Sequence, residues 1–201
     1  MDVNIGLLIL GTLAWAGLTL ALRRSRRWLT FYLTGGLGFV LVVLFWASFL
    51  GFDTALEALE ARQAVGIANF TGIALSLLGK TGLAIPNHTG WAVFDVGIEC
   101  SALLEMSAII GLVAFYPAFS AGRKVSSVLI GTAVTYAVNI ARIMLIVVLI
   151  NAFGTDWVFA AHAVFGRVLF FVGTVVLYWW LITRPTVNWI GADLREAIAD
   201  E

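Results

Sequence analysis

Two stretches of this chain, Val3–Leu22 and Trp28–Phe52, carry no charged side chain at all. A helix rises about 1.5 Å per residue, so roughly 20 apolar residues cross the ~30 Å hydrocarbon core of a bilayer. Soluble domains do not offer a home for several such runs. With 61% hydrophobic and only 12% charged residues, the chain has too little polar surface to cover a soluble globule. Three more runs follow: about Cys100–Tyr116, stopped by Pro117; Val125–Phe153; and Val158–Ile182, followed by Arg184 and Pro185. The expected fold is an all-α polytopic membrane protein of about five transmembrane helices.

The intervening segments read differently. Asp53–Ala64 suits a short helix on the outer surface, with Asp53 as N-cap and Leu56, Leu59 and Ile67 on one apolar face. Val65–Leu78 is apolar but short, which fits a re-entrant or interfacial helix. Leu83–Ile98 alternates as strand, turn and strand around Pro86-Asn-His-Thr-Gly90, a small extracytoplasmic β-hairpin that must lie outside the lipid or under protein cover. The expected organisation is a single integral membrane domain, 1–201. It divides into an N-terminal helix pair and surface helix (1–64), a core that carries the candidate site (65–184), and a polar cytoplasmic tail (185–201).

Charge placement sets the orientation. Asp2 precedes the first run and Arg23, Arg24, Arg26 and Arg27 follow it, the reverse of a cleaved signal peptide. With the N-terminus outside and five crossings, those arginines fall inside together with Arg123, Lys124 and Arg184. Asp53, Glu57, Glu60, Asp95, Glu99 and Asp156 fall outside, as the positive-inside rule asks. No internal repeat suggests an inverted-repeat transporter, and no basic tract with interleaved aromatics suggests a nucleic-acid partner. The chain has one cysteine and two histidines, which argues against a disulfide and a structural metal site. No cofactor fingerprint is present.

This topology brings three reactive residues to one depth. Cys100 begins a helix at the outer face, and His162 lies near the start of the last helix at the same face. Arg142 is 18 residues beyond Lys124, about 27 Å of helix rise, and so reaches the outer boundary too. A thiolate is the nucleophilic form of cysteine, and a neighbouring cation favours it. Arg142 stays charged and can also meet a developing oxyanion. His162 titrates near neutrality and can move a proton. Each residue also has a plainer reading: Cys100 as packing, His162 as interfacial, Arg142 as an ion pair with Glu105 or snorkelling to the surface. Intramembrane charge is costly enough that function is the default for Arg142.

The motifs Glu99-Cys-Ser-Ala-Leu-Leu-Glu105, Asn139-Ile-Ala-Arg142 and His162-Ala-Val-Phe-Gly166 resemble, in that order, those of the exosortase/archaeosortase family of multi-pass membrane cysteine transpeptidases. The resemblance covers roughly Gly66–Tyr178. Ala102 stands where that family usually has glycine. Together with Glu105 and Arg167 directly after Gly166, it resembles the Gram-positive branch called exosortase G. The resemblance implies a cell-membrane protein, active at its extracytoplasmic face, that cleaves a C-terminal sorting signal from secreted proteins. It implies a thioester on Cys100 and transfer to a lipid or surface acceptor, with Arg142 stabilising thiolate and oxyanion and His162 as general acid/base. Asn139 can orient Arg142 from the same helix face or hydrogen-bond to a neighbouring helix. Glu105 is expected to partner Arg142 or Arg167, and Ser101 shares its face. Gly166 is expected to permit close packing. The competing reading is a non-enzymatic membrane subunit, a permease component or assembly scaffold, with Arg142 and His162 lining a polar cavity.

Overall fold

The computed structural model describes residues 5–187; the tail expected at Asn188–Glu201 lies outside them. Helices α1 (Ile5–Arg24) and α2 (Trp28–Leu50) form an antiparallel pair. Indole N–H groups tie them together: Trp15 Nε1 donates to the Thr34 carbonyl and Trp46 Nε1 to Thr12 Oγ1, both at 3.0 Å. Their leucines, among them Leu7, Leu10, Leu29 and Leu37, face outward, which is where lipid would be. Gly51 closes α2 at φ +69°, a left-handed conformation that favours glycine, and the chain turns straight into α3 (Phe52–Phe70).

Helix α3 merges the expected surface helix with the first residues of the next segment. Val65–Leu78 therefore forms no helix of its own. The chain leaves α3 at Thr71 and Gly72, the latter at φ +88°, and ends the segment as strand β1 (Ser76–Leu78). The buried face of α3 is Leu56, Glu57, Glu60, Ala61, Ala64 and Ala68, while Leu59 and Ile67 are 47% and 40% exposed. The expected apolar face is thus corrected. Small residues let α3 approach its neighbours closely, and large apolar ones are not forced inward where lipid is the alternative.

The expected hairpin is present as β2 (Gly82–Asn87) and β3 (Gly90–Asp95), and β1 extends it to a three-stranded antiparallel sheet in the order β1-β2-β3. The β2–β3 turn is His88–Thr89, with Asn87 paired to Gly90 and Asn87 Oδ1 accepting the Thr89 N–H at 2.9 Å. Side chains alternate across the sheet as strand geometry requires. Leu83, Ile85, Ala92 and Phe94 point into the protein, while Trp91 and Val93 point out.

Helices α4 (Leu103–Phe115), α5 (Ala121–Phe153) and α6 (Ala160–Val187) complete the fold. Among the described residues four helices, α1, α2, α5 and α6, are long and apolar enough to cross a bilayer. The fifth expected span is shorter: α4 has 13 residues, about 20 Å of rise, because Cys100–Ala102 form a turn and not a first helical turn. Leu103 packs beside Ala47, one helical turn before the end of α2.

The ends of the bundle differ. One gathers the Arg23–Arg27 turn, Tyr116, Lys124 and Arg184: Phe31 meets Phe115 edge-on, Tyr32 meets Tyr116 edge-on, and Tyr116 Oη meets Thr186 Oγ1 at 3.0 Å. The other is a cap of α3, the sheet and the last turns of α5. Ile143, Ile146, Val147 and Ile150 there share one core with Ala61, Ala64, Leu83, Ile85 and Val96.

Candidate active site at the capped end

Helix α5 carries a buried polar stripe of Thr135, Asn139 and Arg142. The spacing of four and then three residues keeps all of them on one face, turned toward α4 and α6. Beyond β3 the chain passes through a turn, residues 97–102, before α4 starts. That turn is saturated with hydrogen bonds. The Cys100 and Ser101 N–H groups both donate to the Gly97 carbonyl, at 2.8 and 3.0 Å. The Ala102 N–H donates to Glu60 Oε1 at 3.0 Å and the Leu103 N–H to Ser101 Oγ at 3.3 Å. From the opposite side, Asn139 Nδ2 donates to the Cys100 carbonyl at 2.8 Å.

Three of the residues singled out above meet here. Cys100 Sγ lies 3.4 Å from His162 Nδ1 and 4.0 Å from Arg142 Nη2. His162 sits in a π-wound first segment of α6, Ala160–Gly166. Such single turns re-aim side chains relative to a regular helix. Its ring rests against Phe94 of β3, centroids 5.4 Å apart. Gly166 ends that segment, and a Cβ there would sit 3.0 Å from Ile146 Cδ1, so α6 can close on α5 beside the thiol.

Arg142 is 4% exposed. Its guanidinium stands over the Phe170 ring at 5.4 Å, and its Nε has no hydrogen-bond partner. Arg142, Arg167, Glu99, Glu105 and Phe170 border a cavity of about 330 Å³ between α4 and α6. Glu105 shares that cavity but makes no ion pair; Arg167 pairs with Glu99 instead, at 3.5 Å and well exposed. Of the two expected partners for Glu105, Arg167 is taken by Glu99, whereas the Arg142 charge acts on Glu105 without an ion-pair contact among the described residues. Glu105 Oε2, like Arg142 Nε and Asn139 Oδ1, is buried without a partner. Among the described residues no three His, Cys, Asp or Glu side chains gather as a metal would need.

Cys100 and Glu60 lie outside the spanning helices, and both titrate abnormally. Burial pushes the Cys100 thiol up to about 11; the Arg142 charge pulls it down, Glu99 and Glu60 push it up, and Arg167 pulls it down. Burial therefore outweighs the neighbouring cation. The expected influence of the neighbouring cation is present, and the depth at which the turn is packed acts against it. Burial also raises the Glu60 carboxyl to about 7, against the lowering effect of the Ala102 N–H and the Asn139 amide; Glu57 and Glu105 add smaller raising effects.

Glu60 is the residue that the sequence-based reading did not place at the site. Its signal was present as the run Leu56, Glu60, Ala64, Ala68 at intervals of four, a continuous face on which one acid must be buried if the alanines are.

A search of the curated proteins and one of the solved structures returned no match. A family model described as transmembrane exosortase matches residues 2–179, a span that includes the first two helices, the cap and all three motifs. The polytopic fold and that match agree: the chain belongs to the transmembrane exosortase family, a family of membrane transpeptidases.

Proposed function

We propose that this protein is a cell-membrane cysteine transpeptidase that removes a C-terminal sorting signal from secreted proteins. In this reading Cys100 works at the extracytoplasmic face. The carrying observation is the sulfur of Cys100 held between an imidazole nitrogen at 3.4 Å and a guanidinium nitrogen at 4.0 Å. The basic loops at the far end of the bundle support the orientation.

A buried thiol needs its proton removed as it attacks. His162 Nδ1 takes that proton while Sγ bonds to the scissile carbonyl carbon. The resulting oxyanion needs donors. The backbone N–H groups of residues 100–103 are all engaged within the protein, so the guanidinium of Arg142, with its free Nε, takes that part. Collapse breaks the C–N bond, and the imidazolium returns the proton to the leaving amine. A thioester remains on Cys100. An acceptor amine on a lipid or surface molecule then loses a proton to His162 and forms the new amide, and the C–S bond breaks to restore the thiol. Asn139 holds the Cys100 carbonyl and positions the turn. The glutamate-cysteine start and Ala102 keep the likeness to the Gram-positive branch.

The test is processing of a secreted protein encoded beside this chain that ends in a short motif, an apolar helix and a basic tail. Cys100→Ala and Cys100→Ser should both leave the precursor uncleaved, with the membrane level of the enzyme unchanged. Normal processing in either variant overturns the reading in favour of a scaffold.

A further inference from the structure

Helix α3 contributes nothing to the three-residue site by sequence motif, yet it reaches the nucleophile. Glu60 is 0% exposed and its Oε1 accepts the Ala102 N–H across 42 residues of chain. Asn139 grips the same turn from α5 at the Cys100 carbonyl. The turn is thus clamped by one acceptor and one donor from two helices. The acceptor is a surprising choice. Among the described residues, no cation lies within ion-pair distance of this carboxylate, and its Oε2 has no hydrogen-bond partner. Desolvating an ionised acid in such a place is costly, because no opposite charge repays it. A neutral acceptor, by contrast, satisfies the amide at no such cost.

We infer that Glu60 is a positioning residue for Cys100: it pins the nucleophile turn to α3 as a hydrogen-bond acceptor, and its negative charge opposes formation of the thiolate.

The groups facing the sulfur are Arg142 from α5, His162 and Arg167 from α6, Glu99 from the turn itself and Glu60 from α3. Those facing Glu60 are Glu57 on its own helix, Glu105 on α4, and Asn139 and Tyr136 on α5. With the Glu60 carboxyl titrating at about 7, its opposition to the thiolate is absent in acid and grows as pH rises through neutrality. The inference takes its importance from the proposed role of Cys100 but is read on the sulfur directly.

The chain has a single cysteine, so iodoacetamide alkylation of the full-length protein in detergent reports Cys100 alone. Three proteins are compared from pH 6 to 9: wild type, Glu60→Gln and Glu60→Ala. The Gln variant keeps the acceptor and loses the charge. Its alkylation rate relative to wild type should be near one at pH 6 and rise several-fold by pH 8 to 9, and it should process the precursor faster than the Ala variant does. The Ala variant should process at least tenfold more slowly.

A Gln-to-wild-type ratio that stays flat with pH overturns the inference. So does a Gln variant as impaired in processing as Ala, or an Ala variant that processes normally. Should the Ala variant fail to accumulate, the Gln ratio alone decides. If no protein processes the precursor yet the ratio rises as described, the Glu60 inference stands and the transpeptidase reading falls.

Discussion

Against α2, helix α4 packs by bare contact; against α5, it packs around polar groups. On the first seam a Cβ at Gly111 would lie 2.9 Å from the Gly36 carbonyl oxygen, and Phe115 is ringed by Trp15, Phe31 and Phe39 at 5.7–6.3 Å. The second seam begins in the same way, with Gly131 against Ile109, but then runs through Thr135, Asn139 and Arg142, where several buried atoms lack partners. One helix thus uses glycine and aromatics to fix its place and spends its other side on groups that packing alone would exclude. The difference teaches where to look for chemistry in a membrane bundle: at the seam that packing energy does not explain.

Three substitutions break or sharpen that contrast. The largest effect is expected from Arg142→Gln. Losing the oxyanion donor should lower processing roughly 10²–10³-fold. It should also slow alkylation of Cys100 at pH 8, because the first influence that pulls the thiol's titration downward is gone. Unchanged alkylation with normal processing would show the second seam to be structural only.

Gly111→Val attacks the first seam. The added branch meets the Gly36 backbone and the Phe39 ring, and overpacking of this kind costs about 1–3 kcal/mol. Thermal denaturation in detergent should fall accordingly, while the folded fraction keeps its processing rate. A rate that falls as far as Arg142→Gln's would mean that the two seams are not separate in function.

The smallest effect is expected from Thr135→Val. The Thr135 hydroxyl is buried without a partner, and removing such a group at constant shape is neutral or stabilising by up to about 1 kcal/mol. Processing should be unchanged. A marked loss would extend the functional stretch of the seam by two helical turns toward the basic end.

The features that could be read in the sequence were those set by bulk physics. Long uncharged runs locate α1, α2, α5 and α6, the placement of arginines orders the ends, and alternation around Asn87–Gly90 marks the hairpin. The expected topology put Cys100 and His162 at one face, and counting helix rise put Arg142 at the same depth. What was hidden depends on neighbours distant in sequence. Strand β1 exists only because Ser76–Leu78 finds β2 to pair with. The inward face of α3 is chosen by what packs on it, so Leu59 and Ile67 misled where Ala61 and Ala64 decide. The π-winding at Ala160–Gly166 leaves no mark in composition, although it carries His162. The upward push on the thiol follows from depth of burial, which helix counting cannot supply.

The fully engaged amides of residues 100–103 also bear on how this protein could be inhibited. Peptide aldehydes that block soluble cysteine proteases form a hemithioacetal whose oxygen is cradled by main-chain N–H groups. In the proposed reading such an adduct on Cys100 meets the Arg142 guanidinium in their place. Warheads that carry a permanent anion or a planar acid beside the electrophilic carbon suit that partner better than neutral ones. The preference offers a chemical route to compounds that spare the soluble enzymes.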